Sequence, residues 1–266
     1  MQTDKPLSSQ LSDNLCKSKI DQMLQDIGVV IDTVVLQEVD STNTYAKKMV
    51  KDKVNGPVLV LAEAQTNGRG RMGRSFYSPN GSGLYMSYAY KVTDNVADSV
   101  VVTALTAVAV VTAIEELTDK KPKIKWVNDI YIDNKKVCGI LVEAVTGKQT
   151  DIIIGIGINV TTKSFPDEIK DIASSISVNI DRNLLAVTVI KHLTVLLEKI
   201  KDRAFIEKYR EKSLVLGKTI EFKKDGKVIE GRAVDIDNNG GLIVEAKGSI
   251  TVLNTGEISL KLSKPD

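Results

Sequence analysis

Groups that act as covalent nucleophiles or metal ligands are scarce in this chain of 266 residues, which contains two cysteines and one histidine. Cys16 and Cys138 are far apart and form no C-x-x-C pair, so neither a disulfide framework nor a zinc site is expected. No motif pairs His192 with a nucleophilic serine or cysteine. We therefore assign packing or surface roles to His192 and Cys138, and we do not expect catalysis through a covalent enzyme intermediate.

A secretion signal is also missing, because the N-terminal sequence MQTDKPLSSQ is polar and contains no apolar core. With so few cysteines, this predicts a reduced, cytoplasmic setting. The net charge of +2 does not indicate a nucleic-acid-binding protein. The longest apolar stretch, Val100–Ile114, contains three threonines and is shorter than the roughly 18 residues that a membrane-spanning helix needs. It predicts a buried core helix, so no membrane contact is expected.

The periodicity of apolar residues predicts mixed α and β structure followed by an all-β region. Helices are predicted at 12–27, 41–53, 98–117, 181–200 and 202–212. Strands are predicted at 33–39, 58–64, 84–90, 123–127, 130–133, 137–145 and 151–158. After residue 213, short β-rich runs separated by Gly- and Asn-containing turns predict hairpins of a small barrel. We expect three parts: an N-terminal extension with one helix (1–40), a main domain (41–212) and a C-terminal domain (213–266).

A loop at residues 65–83 carries the densest motif of the chain. Three of its five glycines, Gly68, Gly70 and Gly73, match G-x-G-x-x-G formally. The following sequence SFYSPNGSG cannot form the helix that a dinucleotide-binding fold requires. No Gly-Lys-Ser/Thr follows either, which excludes a nucleotide-binding P-loop. The loop must therefore serve another purpose, since long loops inside compact domains are usually functional.

Three arginines alternate with these glycines. The guanidinium groups of Arg69, Arg71 and Arg74 match phosphate or carboxylate oxygens in a bidentate way, and the glycines allow the loop to move. This pattern predicts a loop that binds an anion and is mobile over 67–80 without ligand. The alternative is a solvated basic turn.

Two further segments place polar groups beside apolar strands. Trp126, Asn128 and Asp129 follow a predicted strand, where they form either a side-chain-stabilised turn or the edge of a pocket with an aromatic wall. Lys136 begins a very apolar strand. It is either a surface lysine or a cation at the rim of the same pocket.

A last polar cluster, Ser41-Thr42-Asn43, precedes a predicted helix. Ser41 is expected to cap that helix. In the alternative interpretation, the two hydroxyls and the amide of this cluster bind a polar ligand.

With these segments in place, the sequence resembles the biotin protein ligases. The matching pieces occur in family order over about residues 41–260: STN at 41–43, GRGRMGR at 68–74, KWVNDI at 125–130, KKVCGILVE at 135–143, GIGIN at 155–159 and GEISL at 256–260. The resemblance implies an α+β fold, in which a mixed-sheet catalytic domain of the biotin/lipoate-ligase type precedes a small SH3-like β-barrel. Val127 stands where the family usually has proline, which removes no functional group.

The resemblance implies an ATP-dependent ligase. Biotin is activated as biotinyl-5′-AMP with release of diphosphate, and is then transferred to a lysine of a biotin carboxyl carrier protein. The catalytic residues would be Lys136, Arg69 and Arg71. The biotin-binding residues would be Ser41, Thr42, Asn43, Gln65, Arg69, Gly70, Arg71, Lys136 and Gly139. The ATP-binding residues would be Gly68, Arg69, Gly70, Arg71, Arg74, Trp126, Asn128, Asp129 and Asn159. Mg²⁺ is expected with ATP. No firm metal ligand is identified, and Asp129 is the candidate.

Other functions remain open at this point. A lipoate or other cofactor–protein ligase would share the catalytic fold, and a regulator that senses biotinyl-AMP would share the pocket. A protein that only sequesters the adenylate is a third alternative. About 40 residues precede Ser41, fewer than an independent domain usually needs, so a DNA-binding domain and DNA binding are not expected. By resemblance a homodimer is expected.

Overall fold

The computed structural model describes residues 14–52, 56–92, 98–146, 150–224, 226–256 and 258–260. The expected start of the first helix at 12, the expected end of the second at 53 and the turn residue Asp225 lie outside these ranges. Residues 1–13, Glu257 and residues 261–266 of the expected domains also lie outside them.

A seven-stranded sheet forms the centre of the main domain. Its strands are β1 (Asp32–Val39), β2 (Val58–Gln65), β3 (Gly83–Val92), β4 (Lys123–Lys125), β5 (Asp129–Ile132), β6 (Lys135–Thr146) and β7 (Thr150–Asn159). They lie in the order β1-β2-β3-β7-β6-β5-β4. β1 and β2 are parallel and all other neighbours are antiparallel, which confirms the expected mixed sheet.

The described residues form five α-helices. They are α1 (Lys17–Asp26), α2 (Thr42–Lys51), α3 (Ser99–Leu117), α4 (Arg182–Glu198) and α5 (Phe205–Glu211). Two of them begin as the sequence predicts, because Asp98 and Asp181 accept hydrogen bonds from the backbone N–H two residues on and so cap α3 and α4. Single 3₁₀ turns occur at Arg71–Gly73 and Ile200–Asp202.

Strand alternation divides the sheet into two faces. Leu59 and Leu61 of β2 belong to the large core that includes α3, whereas Val58 and Val60 pack with Ala46 of α2 on the opposite face. α3 is long and apolar enough by length and composition to cross a membrane, but 72% of its most apolar window is buried inside the protein. It is the core helix that the sequence predicts.

A buried ion pair joins the N-terminal segment to the sheet. Arg182 Nη1 lies 2.7 Å from Glu63 Oε2, and these side chains are 1% and 4% exposed. The other oxygen, Glu63 Oε1, accepts the backbone N–H of Leu15 at 2.6 Å, and Arg182 also donates to the carbonyl of Gly83. Residues 14–40, for which the sequence predicts an N-terminal extension with one helix, contribute Leu15, Ile20 and Leu24 to the core and β1 to the sheet.

The C-terminal strands form a second, five-stranded antiparallel sheet. They are β8 (Thr219–Lys224), β9 (Lys227–Ile236), β10 (Leu242–Ala246), β11 (Ser249–Leu253) and β12 (Ile258–Leu260), in the order β11-β10-β9-β8-β12. This agrees with the expected SH3-like barrel, although the described strands do not close into a ring. Apolar residues of this sheet, such as Ile236 and Leu242, continue the core around α3.

Candidate active site

A pocket opens on the α2 side of the main sheet, at the N-terminal end of α2. Its wall includes the start of α2, the end of β2, the arginine–glycine loop and the strands β5, β6 and β7. It brings together twelve residues that the sequence predicts for the site: Ser41, Thr42, Asn43, Gln65, Arg69, Gly70, Arg71, Arg74, Asn128, Asp129, Lys136 and Gly139. We call it the polar pocket.

Strand glycines form the floor of the polar pocket. Gly139 of β6 pairs with Gly157 of β7, and Gly155 lies two residues away on the same face. A Cβ atom on Gly157 would lie 2.6 Å from the Phe76 ring, and one on Gly155 would lie 2.3 Å from Asn43 Oδ1. The alternating isoleucines of β7, such as Ile156, belong to the core on the other face. The Ile–Gly alternation in β7 therefore has a physical reason, since side chains approach the backbone there as closely as glycine allows.

A hydrogen-bonded cluster of amides and hydroxyls forms one wall. Gln65 Oε1 accepts from the backbone N–H of Thr42 at 2.9 Å and from its hydroxyl at 3.2 Å, while Gln65 Nε2 donates to Ser78 at 2.8 Å. Ser87 Oγ lies 2.6 Å from Asn43 Oδ1 and 2.8 Å from the Thr42 hydroxyl. The amide groups are thereby held in fixed orientations.

Ser41 is the exception within this wall. It occupies the N-cap position of α2, but its side chain makes no capping hydrogen bond, so the expected side-chain cap is wrong. Asp40 instead accepts the backbone N–H of Ser41 at 2.6 Å. Ser41 is 2% exposed and lines the pocket, so its uncommitted hydroxyl is available to a ligand.

The carboxylate of Glu143 lies at the rim of the polar pocket, next to Asn43. Its Oε2 accepts from Asn43 Nδ2 at 2.8 Å, and its Oε1 accepts from Lys47 Nζ at 2.6 Å. Arg69 Nη1 lies farther away, 3.6 Å from the same Oε1. Burial opposes ionisation of Glu143, but the hydrogen bonds from Lys47 and Asn43 outweigh it and hold its pKa below the usual value.

The arginine–glycine loop folds back on itself as a narrow hairpin. Arg69 and Ser75 form an antiparallel bridge, and the tip turns through Met72 and Gly73, both with positive φ. Arg71 reaches across the pocket, where its Nη1 donates to Asn128 Oδ1 at 3.2 Å and its Nη2 donates to the Gly256 carbonyl at 3.4 Å. Arg71 thus bonds a turn of the main domain, just before β5, and a turn of the C-terminal region, between β11 and β12.

A second pocket adjoins the polar pocket and is lined by aromatic and aliphatic side chains. Arg74, Ser75, Phe76, Asp129 and Lys136 line both pockets. The additional wall of this aromatic pocket consists of Tyr77, Lys125, Tyr131, Asn159, Phe165, Ile169, Ile172 and Ala173. Lys136 therefore stands where the two pockets meet, with its ammonium 2.7 Å from Asp129 Oδ1.

Three residues predicted for ATP binding lie outside the polar pocket. Trp126 is buried and donates its indole N–H to the Gly240 carbonyl at 2.9 Å, so it contacts the turn between β9 and β10 and is absent from the lining of both pockets. The predicted strand over 123–127 also ends at Lys125, because Trp126 and Val127 belong to a turn joined by a cis peptide bond. Gly68 lies at the base of the loop, where a Cβ would meet the Phe76 carbonyl at 2.4 Å. Asn159 lines the aromatic pocket instead.

Sequence reasoning missed Phe76, the ring over the glycine floor, and the aromatic pocket itself. It also gave no role to Glu143, although this residue closes the motif KKVCGILVE. A usable signal was present, because an aromatic pair, Phe76-Tyr77, directly follows the arginine–glycine loop. His192 and Cys138 lie as expected: His192 bonds Glu116 at 2.6 Å, and Cys138 is fully buried, which raises the pKa of its thiol.

No cluster of three or more His, Cys, Asp or Glu side chains that could hold a metal ion occurs among the described residues. Asp129 is the acidic residue of the polar and aromatic pockets in that part of the chain. A magnesium ion held by one carboxylate and by substrate phosphates would fit such a site, whereas an all-protein metal cage would not.

Family models match both parts of the chain. Residues 35–159 match the biotin/lipoate A/B protein ligase family, and residues 215–261 match the biotin protein ligase C-terminal domain. The bifunctional ligase/repressor BirA of Bacillus subtilis is 34% identical over 232 residues, which cover 83% of this chain and 71% of that protein. The chain belongs to the biotin protein ligase family.

Two further similarities cover most of this ligase. The biotin–[acetyl-CoA-carboxylase] ligase of Mycobacterium tuberculosis is 28% identical over 237 residues, covering 84% of this chain and 87% of that protein. The biotin protein ligase of Aquifex aeolicus, solved in complex with biotin and ATP, superposes with a TM-score of 0.75 at 32% identity. That superposition covers 87% of this chain and 99% of the other.

Proposed function

We propose that the polar pocket and the aromatic pocket together form the site at which this ligase activates biotin with ATP and transfers it to a carrier protein. One observation carries the proposal: Lys136 stands at the junction of the two pockets, facing the loop arginines. Biotin is joined to AMP through its carboxylate, so the reacting atoms must lie between a site for the biotin head and a site for the nucleotide. The junction is such a place.

The hydroxyl and amide wall suits the head of biotin. A ureido group offers one acceptor and two donors. The Ser41 hydroxyl makes no capping bond, and the Gln65 amide nitrogen has a second N–H beyond the one given to Ser78. Thr42 and Asn43 hold this wall in shape, and Gly139 leaves room on the floor. A site built on such groups rejects analogues that lack them by as much as about 10⁴–10⁵.

The cations suit the first chemical step. The biotin carboxylate attacks the α-phosphorus of ATP, and diphosphate leaves. Negative charge accumulates on the phosphate oxygens in this step. Lys136, Arg69 and Arg71 stabilise that charge, and one such preplaced donor is typically worth roughly 3–4 kcal/mol. Gly70 lets the loop backbone come close to the ligand, and Gly68 fixes the base of the hairpin.

The nucleotide occupies the aromatic pocket and its border. Tyr77, Tyr131 and Phe165 offer ring faces to a base, and Arg74, Asn128 and Asn159 offer polar groups to the ribose and phosphates. Trp126 supports this site from the core rather than by contact. Mg²⁺ bound to ATP neutralises phosphate charge, and Asp129 is the carboxylate that would hold it.

In the second step the amine of a carrier lysine attacks the acyl carbon and AMP leaves. The partner is a biotin carboxyl carrier protein domain. We further propose that the ligase acts in the cytoplasm as a homodimer and does not bind DNA specifically. An electrophoretic shift on a biotin operator, specific in sequence, would contradict the last point.

The experiment is biotin-dependent exchange between ATP and pyrophosphate, followed by transfer to a purified carrier domain. We expect exchange with biotin and none with lipoate, because lipoate has no ureido group. Exchange with lipoate instead would make the protein a lipoate ligase. Tight biotin binding without exchange would make it a sensor or a sequestering protein.

A further inference from the structure

Two cations share one carboxylate at the rim of the polar pocket. Lys47 Nζ and Arg69 Nη1 both face Glu143 Oε1, at 2.6 Å and 3.6 Å. The other oxygen of Glu143 accepts from Asn43. Lys47 comes from α2 and Glu143 from β6, which are both regular elements, whereas Arg69 belongs to the loop. The fixed elements therefore supply the shorter contact and the loop supplies the longer one.

Burial adds to the difference between the Lys47–Glu143 and Arg69–Glu143 contacts. The side chains of Lys47 and Glu143 are 24% and 19% exposed, and that of Arg69 is 46% exposed. An ion pair weakens with distance and with access of water, so Lys47 binds Glu143 more strongly than Arg69 does. Because Lys47 already neutralises the carboxylate, Arg69 is held only loosely in this position.

We propose that Lys47 is a positioning residue for the arginine–glycine loop. By neutralising Glu143, it leaves Arg69 free to turn from the rim towards the phosphates of the nucleotide. Without Lys47, the Glu143 carboxylate would have Arg69 as its remaining cation and would hold it away from the phosphates. This inference rests on the proposed function in one respect, since it takes ATP as the ligand that Arg69 meets.

The test compares Lys47→Met with Lys48→Met. Methionine keeps an unbranched apolar side chain while removing the charge. Lys48 is the neighbouring residue on α2, is exposed and lies away from the polar pocket, so its variant is a matched control. We expect Lys47→Met to raise KM for ATP about three- to tenfold in the exchange reaction, with kcat changed less than twofold. Lys48→Met should match the wild type.

A second variant separates positioning from general damage. Glu143→Gln removes the charge that holds Arg69 but keeps an oxygen acceptor for Asn43. Added to Lys47→Met, it should bring KM for ATP back to within twofold of the wild-type value. A double variant as impaired as Lys47→Met alone would overturn the proposal, because no carboxylate charge would then remain at residue 143 to hold Arg69 away from the nucleotide.

Amide hydrogen exchange tests the same point without activity. In Lys47→Met, amides of residues 68–74 should exchange more slowly than in the wild type, since Arg69 is then held more firmly. Unchanged or faster exchange there would overturn the proposal. Absence of biotin-dependent exchange in the wild-type enzyme would count against the proposed function instead, and the amide measurement would still decide this inference.

Discussion

Lys136 and Asp129 face each other across neighbouring strands, with the ammonium 2.7 Å from the carboxylate, at the border of the two pockets. β5 carries the acid and β6 carries the base, so the sheet register fixes their separation. An incoming anion must share Lys136 with Asp129. The pair thus holds the ammonium at the border of the two pockets, which is the proposed reacting centre, before any substrate arrives.

Removal of this cation should abolish adenylation. We expect Lys136→Ala to lower biotin-dependent ATP–pyrophosphate exchange about a hundredfold or more, since a charge-stabilising donor at the transition state is lost. Asp129→Asn should lower the exchange rate less, by about tenfold, because Lys136 remains but is less well oriented. An exchange rate above one half of the wild-type value in Lys136→Ala would contradict this role.

An added methyl group on the pocket floor should block biotin. In Gly157→Ala the new Cβ would lie 2.6 Å from the Phe76 ring, so the ring must shift. We expect the Kd for biotin in isothermal titration calorimetry to rise about tenfold or more, because the displaced ring narrows the pocket. A tenfold rise corresponds to a loss of roughly 1.4 kcal/mol of binding free energy. Ile154→Val on the core face of the same strand is the control and should leave Kd unchanged. In a Phe76→Leu background, the Gly157→Ala substitution should raise the Kd for biotin much less.

Loss of one partner of the buried pair Glu63–Arg182 should destabilise the whole protein. Arg182→Met leaves the Glu63 carboxylate buried without its cation, which typically costs about 3–5 kcal/mol. Urea unfolding at neutral pH would measure this change. The double variant Glu63→Leu/Arg182→Met should recover part of the loss. Lys170→Met, which breaks the exposed pair with Asp167, is the control and should cost less than about 1 kcal/mol.

The pair Glu115–Lys212, which joins α3 to the end of α5, should make stability depend on pH. Burial opposes ionisation of Glu115, but the hydrogen bond and charge of Lys212 outweigh it and hold its pKa below the usual value. A lowered folded-state pKa stabilises the protein above the unfolded-state pKa, and this contribution disappears as pH falls through the folded-state value.

The corresponding measurement is urea unfolding of the wild type and Lys212→Met. At about pH 7 the variant should be less stable by roughly 0.5–1 kcal/mol, and at about pH 3 the difference should be smaller. The difference reports the two carboxylates that Lys212 contacts, which are Glu115 at 2.6 Å and the more exposed Glu211 at 3.2 Å. A constant difference at both pH values would show that Lys212 acts by packing alone.

Local patterns predicted much of the fold. The caps Asp98 and Asp181 and the buried helix α3 follow from residues close together in sequence. These features are local because a cap, a turn or a strand face depends on a few consecutive residues.

The remainder of the site depends on register between distant segments. Tyr77, Tyr131 and Phe165 share a pocket only because the strand order brings β5 and β6 beside the loop, and no spacing in the sequence shows this. Trp126 illustrates the same limit, since Asn128 and Asp129 line the polar pocket while the Trp126 indole donates to the turn between β9 and β10. One position along a chain can reverse the direction of a side chain.

The floor of Gly139, Gly155 and Gly157 also limits how this enzyme can change. Walls made of side chains can be trimmed to admit a larger substrate, but a floor that is already bare backbone has nothing left to remove. Every substitution there reduces the space above the sheet. Selection or engineering for bulkier biotin analogues must therefore work on the loop and on Phe76, while the floor can only become more restrictive.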